Sequence, residues 1–310
     1  MKRVDASAPG KLMVSGEYAV LDGAVAIVAS ADVRVTVRWV DEAATLPPEA
    51  AATREIAERE LGAIEGSLAL DASELRKAGK KLGLGSSAAA SAAVAGAILA
   101  THGHDLKDPV VQQRAFKLAL AGHKAIAPEG SGADVAAASL GGFVRFRLVN
   151  GSAEAQRVEF PAQVEARVVW TGKEARTSEF VRAVRAFEAR DGQGFATLRG
   201  DLHDQALRFA DAIAAANVPE IIAATGAYGL AMGELGRAAG VSIVTEELAQ
   251  IAVLAGEHGG AAKPSGAGGG DVAIAFFPDA TSARGFDEAC RAAKLDLLDL
   301  RLGAPGVRAE

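Results

Sequence analysis

The stretch Lys80-Lys81-Leu82-Gly83-Leu84-Gly85-Ser86-Ser87, followed by small apolar residues up to Leu99, constrains this chain more than any other. Glycines at 83 and 85 permit backbone angles and close approaches that a side chain would forbid. The alanine-rich run behind them reads as a buried helix opening at Ser86 and Ser87. The first N–H groups of such a helix lack partners and sit at the positive end of its dipole, which makes them a site for an anion, above all phosphate. An ordinary serine-capped core helix has the same pattern, so the stretch needs support from elsewhere in the chain.

At 310 residues the chain exceeds the usual size of one domain, and the expectation is two, 1–160 and 161–310. Half of the residues are hydrophobic and 23% are charged, as in a packed core. A net charge of -6 without a basic cluster speaks against nucleic acid as a partner. One cysteine, Cys290, excludes an internal disulfide, and the five histidines show no metal-ligand spacing. The N-terminus lacks the apolar run of a signal peptide, and residues 86–100 are too short to span a bilayer. The expectation is a cytoplasmic protein, monomeric or homodimeric, without a membrane partner.

Residues 2–40 read as strands: Lys11 to Val14 is a short apolar run, Asp22-Gly23 marks a turn, and Val33, Val35, Val37 and Trp39 alternate with Arg34, Thr36 and Arg38. Residues 41–79 read as a connector with one surface helix from about Ala51 to Leu61. Asp108-Pro109 caps a further helix that stops before Pro128. After a polar link near 150–163 come a strand from Val164 to Trp170, a helix capped by Thr177 with Phe180, Val181, Val184 and Phe187 on its apolar face, and two or three more helices up to about His258. A strand from Val272 to Phe277, a helix at 282–293 and a strand at 295–302 close the chain, giving an α+β arrangement of helices on a small antiparallel sheet.

Two further segments carry chemical character. In Glu129 to Phe143, Asp134 stands in an alanine-rich element, where a carboxylate is costly to desolvate unless something pairs with it; helix capping is the plainer reading. In Gly259 to Asp271, six of thirteen residues are glycine. That density reads as backbone kept bare for a ligand rather than for packing.

Read together, APGKLMVSGEYAVL (8–21), GLGSSAA (83–89), GSGADVAAASLGG (130–142) and KPSGAGGGD (263–271) resemble, in order and spacing, the motifs of the GHMP kinases. The resemblance implies a two-domain fold: an N-terminal domain like ribosomal protein S5 domain 2, a ferredoxin-like C-terminal domain, and an active site between them using ATP and Mg²⁺. It implies that Gly83, Leu84, Gly85, Ser86, Ser87, Ala88 and Ala89 hold the ATP phosphates, with Ser86 or Ser87 near the metal. Lys11 and Asp134 would stand at the reaction centre, and Ser265, Gly266, Ala267 and Gly268 would close over the transferring phosphate. Within the family, KLGLGSS, GHKAIAPEGSGADVAAASLGG and KPSGAGGGD resemble the phosphomevalonate kinase forms. Mevalonate kinases usually read GEHAV where this chain has Gly16-Glu17-Tyr18-Ala19-Val20, and carry a metal-binding glutamate where it has His123.

That resemblance makes 5-phosphomevalonate the expected acceptor, with mevalonate or another small alcohol, or a GHMP fold that binds without catalysis, as alternatives. An acceptor with a carboxylate at one end and a phosphate at the other needs several cations. Lys81, Lys173, Arg176 and Lys263 are the candidates, with His123 and Ser131 as neutral donors. Asp134 would act as general base toward a hydroxyl. Toward a phosphate, whose second pKa is about 6, it would mainly orient Lys11 and the metal.

Overall fold

The computed structural model describes residues 2–175 and 177–310. The N-terminal alternation forms an antiparallel pair, β1 (Ala6–Ser15) and β2 (Ala26–Val40), joined by a short 3₁₀ turn, Ala19–Asp22, and Gly23. Ala26 to Ala29 are buried without alternation because both faces of the sheet are covered there, Ala26 and Val28 by one core and Ile27 and Ala29 by the other.

The segment expected as a connector is part of the first layer. Its helix, α1 (Pro48–Leu61), buries Ala50, Thr53 and Ala57, and β3 (Ser67–Asp71) pairs with β2, so the sheet gains a strand that the sequence did not announce. A hairpin of β4 (Arg76–Lys77) and β5 (Lys80–Lys81) then leads to the glycine-serine turn. Lys77 bridges to Asp296 at 2.6 Å and Lys80 Nζ donates to the Gly172 carbonyl at 3.2 Å, tying the hairpin to the second half of the chain.

The alanine-rich run is α2 (Ser86–Thr101), buried on every side between the sheet and its neighbours α1, α3 (Pro109–Ile126) and α4 (Ala133–Leu140). Asp108 caps α3 through the Val110 N–H, as expected. The strands β6 (Phe143–Val149) and β7 (Ser152–Val158) complete the sheet beside β2.

β8 (Glu165–Trp170) opens a second sheet, followed by α5 (Thr177–Arg190), α6 (Gly192–Ala214), α7 (Val218–Ala239) and α8 (Glu246–Glu257). Then come β9 (Ala261–Ser265), β10 (Val272–Phe277), α9 (Ala280–Ala292) and β11 (Asp296–Leu298). The strand order β11-β8-β10-β9, antiparallel throughout, is that of a ferredoxin-like sheet. Val184 and Phe187 of α5 are buried as the apolar face required.

After β11 the chain returns to the first sheet, where β12 (Arg308–Ala309) pairs with β1. This return corrects the reading of Arg34. The alternation put it on an exposed face, but it is only 9% exposed, because its guanidinium donates to Ser7 Oγ and to the Pro305 and Gly306 carbonyls of the tail. Burial, reinforced by nearby Arg308, brings its pKa down to about 10. Among the described residues no helix is long and apolar enough to cross a membrane.

Candidate active site

α2 starts on Gly85, which adopts the left-handed conformation (φ 74°) and supplies no side-chain cap. The first backbone bond runs from Ala89 N to Gly85 O at 3.0 Å, so the Ala89 N–H is occupied. Those of Ser86, Ser87 and Ala88 have no partner among the described residues, which leaves three donors at the positive end of a 16-residue helix. Lys11 N donates to Leu84 O at 2.8 Å, so the turn is fastened to β1. The Lys11 side chain lies across Gly85, where an added Cβ would sit 2.7 Å from Lys11 Cγ. Gly83 is likewise pressed against the Asp271 carboxylate, 2.3 Å from its Cγ to a would-be Cβ.

The bare loop is shorter than the sequence suggested. Residues 261–265 form β9, and most of the glycines do serve packing: a Cβ at Gly260 would meet the Phe277 ring, at Gly268 Ile243, at Gly269 the Phe180 ring, and at Gly270 the Lys173 carbonyl. Beyond β9, only the stretch around Gly266 faces open space. It is held against the N-terminal half by Ser265 Oγ donating to Met13 O (2.9 Å), Gly266 N donating to Glu17 Oε1 (3.3 Å) and Tyr18 OH donating to Ala267 O (2.5 Å).

Both segments border one cleft of about 700 Å³, within the range of small-molecule sites. Of the residues singled out in the sequence, Lys11, Lys81, Gly83, Leu84, Gly85, Ser86, Ser87, His123, Ser131, Asp134, Ser265, Gly266 and Ala267 line it. Ala88 and Ala89 are buried behind the turn, and Gly268 is wedged at Ile243. Arg176 lies outside the described residues. Two lysines are placed elsewhere. Lys173 pairs with Glu247, which holds that carboxyl down to about 2. Lys263 is buried in β9, its ammonium bonded to Glu17 and to Pro264 O. Their charges are already matched, and neither lines the cleft.

Asp134, in the first turn of α4, is half-buried, and among the described residues its only hydrogen bond is from its neighbour Val135 N (3.0 Å). It and Lys11 share the cleft, but no hydrogen bond joins them; the Lys11 charge acts on the Asp271 carboxyl. Burial raises the Asp271 carboxyl above its ordinary value, opposed by the Ala175 N–H and by Lys11. His123 is buried on α3 with Nδ1 unpartnered among the described residues.

Arg182 of α5, Asp271 and Glu17 also line the cleft and were not singled out as site residues. Arg182 stands in no motif, and only its place on α5 opposite the turn reveals it. Glu17 and Asp271 lie inside motifs whose glycines drew attention away from their acids.

The site suits a nucleotide: the N–H donors of Ser86 and Ser87, which line the cleft, can grip phosphate oxygens with a lysine threaded beside them. Among the described residues no three His, Cys, Asp or Glu side chains form a metal cluster. Mg²⁺ needs none, since it keeps waters and phosphate oxygens and takes one or two protein ligands. The hydroxyls of Ser86 and Ser87 and the Asp134 carboxylate offer the oxygen donors that it prefers.

Fold and cleft together suit a phosphoryl-transfer enzyme of two packed α+β halves. Sequence profiles for the GHMP kinases N terminal domain and the GHMP kinases C terminal match residues 49–142 and 221–294, more than half of the chain, and the protein belongs to the GHMP kinase family. It is 28% identical to the phosphomevalonate kinase of Streptomyces sp. (strain CL190), over 89% of this chain and 90% of that one. It is 29% identical to the mevalonate kinase of Aeropyrum pernix, over 91% of each. The fold superposes with a TM-score of 0.81 on Streptococcus pneumoniae phosphomevalonate kinase in complex with phosphomevalonate and AMPPNP, at 22% identity, covering 96% of this chain and 99% of that one.

Proposed function

We propose that this protein is an ATP-dependent kinase of the mevalonate pathway that transfers the γ-phosphoryl group to the phosphate of 5-phosphomevalonate, giving 5-diphosphomevalonate and ADP. The observation that carries the reading is a pair of cationic side chains, Lys81 and Arg182, that line the cleft without an ion pair among the described residues, in addition to Lys11 at the turn. An acceptor with a phosphate and a carboxylate gives both a partner, whereas mevalonate, with one carboxylate, leaves one unmatched. The 28% identical phosphomevalonate kinase supports the same choice.

Phosphoryl transfer asks the protein for alignment and charge cancellation rather than covalent chemistry. The N–H groups of Ser86 and Ser87 would hold phosphate oxygens, and Lys11, fixed by its backbone bond to Leu84 and by the gap at Gly85, would set its charge beside them. The Gly266–Ala267 backbone faces the same space from the other half. Mg²⁺, when bound, neutralises phosphate oxygens and orients them for in-line displacement. A phosphate acceptor is mostly ionised at neutral pH, so Asp134 would orient groups rather than abstract a proton.

Mevalonate is the second reading. The 29% identical Aeropyrum enzyme supports it, as does the Asp134 carboxylate, whose sparse bonding leaves it able to take a hydroxyl proton. Steady-state ADP release with each acceptor tests the choice. The expected kcat/KM favours 5-phosphomevalonate by at least about tenfold, ~1.4 kcal/mol in transition-state binding; the reverse preference overturns it. Asp134→Asn should then lower turnover by about tenfold, whereas a loss of ~10³ or more would mark proton abstraction from an alcohol.

A further inference from the structure

We infer that Lys263 is a positioning residue: through Glu17 it fixes the Gly266–Ala267 backbone relative to Lys11, although it does not itself line the cleft. The inference rests on the kinase reading of that cleft. β1 carries Lys11 and leads into Glu17, while β9 carries Lys263 and leads into Gly266, so the two strands deliver opposite walls of the site. Where they meet, one atom is shared: Glu17 Oε1 accepts from Lys263 Nζ and from Gly266 N at 3.3 Å. The other carboxylate oxygen, Oε2, is buried and has no partner among the described residues, so Glu17 is anchored through the oxygen that Lys263 holds.

The surroundings show that this pair is built in. The Lys263 side chain is 0% and the Glu17 side chain 2% exposed. Burying two charges is costly unless their geometry is good, and an apolar pair would fill the same volume at no such cost. α7 clamps both partners. Gly229 lets the helix approach until a Cβ there would be 3.2 Å from Lys263 Cβ; the Tyr228 ring lies 5.5 Å from the ammonium, and its hydroxyl donates to Glu17 O at 2.7 Å. The pair thus transmits the position of α7 and β9 to one amide at the edge of the cleft. A misplacement of about 1 Å there is enough to cost ~10²-fold in rate.

Lys263→Met, and Lys263→Met combined with Glu17→Gln, test this. The double variant leaves no lone buried carboxylate and keeps the protein foldable if the single one fails. Kinetics would be read with hydrogen exchange of the Gly266 to Gly268 amides. The expected result for the single variant is a loss in kcat of about 100-fold, with both KM values changed less than about threefold. For the double variant it is a loss of about tenfold, with faster exchange at Gly266 and unchanged exchange in α2. Wild-type kcat in either folded variant, unchanged exchange at Gly266, or exchange raised throughout the protein would overturn the positioning role. Wild-type protein that turns over neither acceptor would instead overturn the kinase reading, and exchange at Gly266 would still decide the role of Lys263.

Discussion

Residues 83–89 and 266–270 are both nearly stripped of side chains, and both border the cleft, but the space their glycines leave is filled differently. At Gly83 and Gly85 it is filled by Asp271 and Lys11, charged groups from other elements, while the adjoining N–H donors stay open. At Gly268, Gly269 and Gly270 it is filled by Ile243, Phe180 and the backbone at Lys173, and only Gly266 is clear. Bare backbone next to charge, with donors unspent, makes a binding surface. Bare backbone pressed by neighbouring side chains and carbonyls is a packing device that happens to end at one.

If that contrast holds, the two segments should fail in opposite ways. Lys11→Met keeps the stem that occupies the gap at Gly85 and removes the charge beside the donors. The expected loss in kcat is about 10³-fold, ~4 kcal/mol, with nucleotide affinity and unfolding temperature little changed. An equal loss in nucleotide binding, measured by titration, would break the comparison on the first side. Gly268→Ala should do the reverse, because its Cβ would meet Ile243 O at 2.3 Å in a backbone of φ +74°. Overpacking and left-handed strain together predict a loss of about 3 kcal/mol in stability, several degrees in thermal unfolding, while the folded fraction retains its kcat.

How much of this was visible in the sequence follows the same division. The α2 turn was legible because its signals are local: glycine, serine and an apolar run fix a helix start whatever surrounds it. The cleft position of Asp134 and Lys11 came from motif order. The fates of Lys263 and Lys173 were not legible, since nothing near them in sequence says that Glu17 and Glu247 will arrive to take their charge. The wedged glycines from 268 to 270 were misread for a related reason. A glycine that makes room for Ile243 or Phe180 has the same local signature as one that makes room for a ligand. Arg34 shows the limit of strand alternation, because its outward face is covered by a tail about 270 residues further along the chain.

Gly266 is the position that sharpens the contrast inside its own segment. A Cβ there would meet nothing within 4 Å, although φ is +90°. Gly266→Ala should therefore cost about 1 kcal/mol of backbone strain, well below the loss at Gly268. Any larger effect should appear in turnover, since the new methyl points into the space that a substrate would use. Thermal unfolding beside initial rates separates the two, and a stability loss as large as that of Gly268→Ala would show that the whole segment is a packing device.

Asp271 joins the two segments, ending one and filling the gap at Gly83 of the other, and the smallest effect is expected there. Its carboxyl is raised by burial, and Glu174 adds to the rise, while the Ala175 N–H and Lys11 only partly oppose it. A folded-state pKa above the unfolded one means that ionised Asp271 disfavours the folded state above the folded pKa, and that this cost is absent below the unfolded pKa. Asp271→Asn keeps the acceptor for Ala175 and the shape against Gly83 but carries no charge to desolvate. It should unfold at a slightly higher temperature than wild type at pH 7, and the two should converge as pH falls toward the ordinary aspartate value. Paired melts at pH 7 and at about pH 4, near that value, would read this directly. If Asn is the less stable of the two at pH 7, Lys11 and Ala175 hold the charge at a net gain, and Asp271 belongs with the charged filling of the phosphate turn rather than with the strained end of the glycine loop.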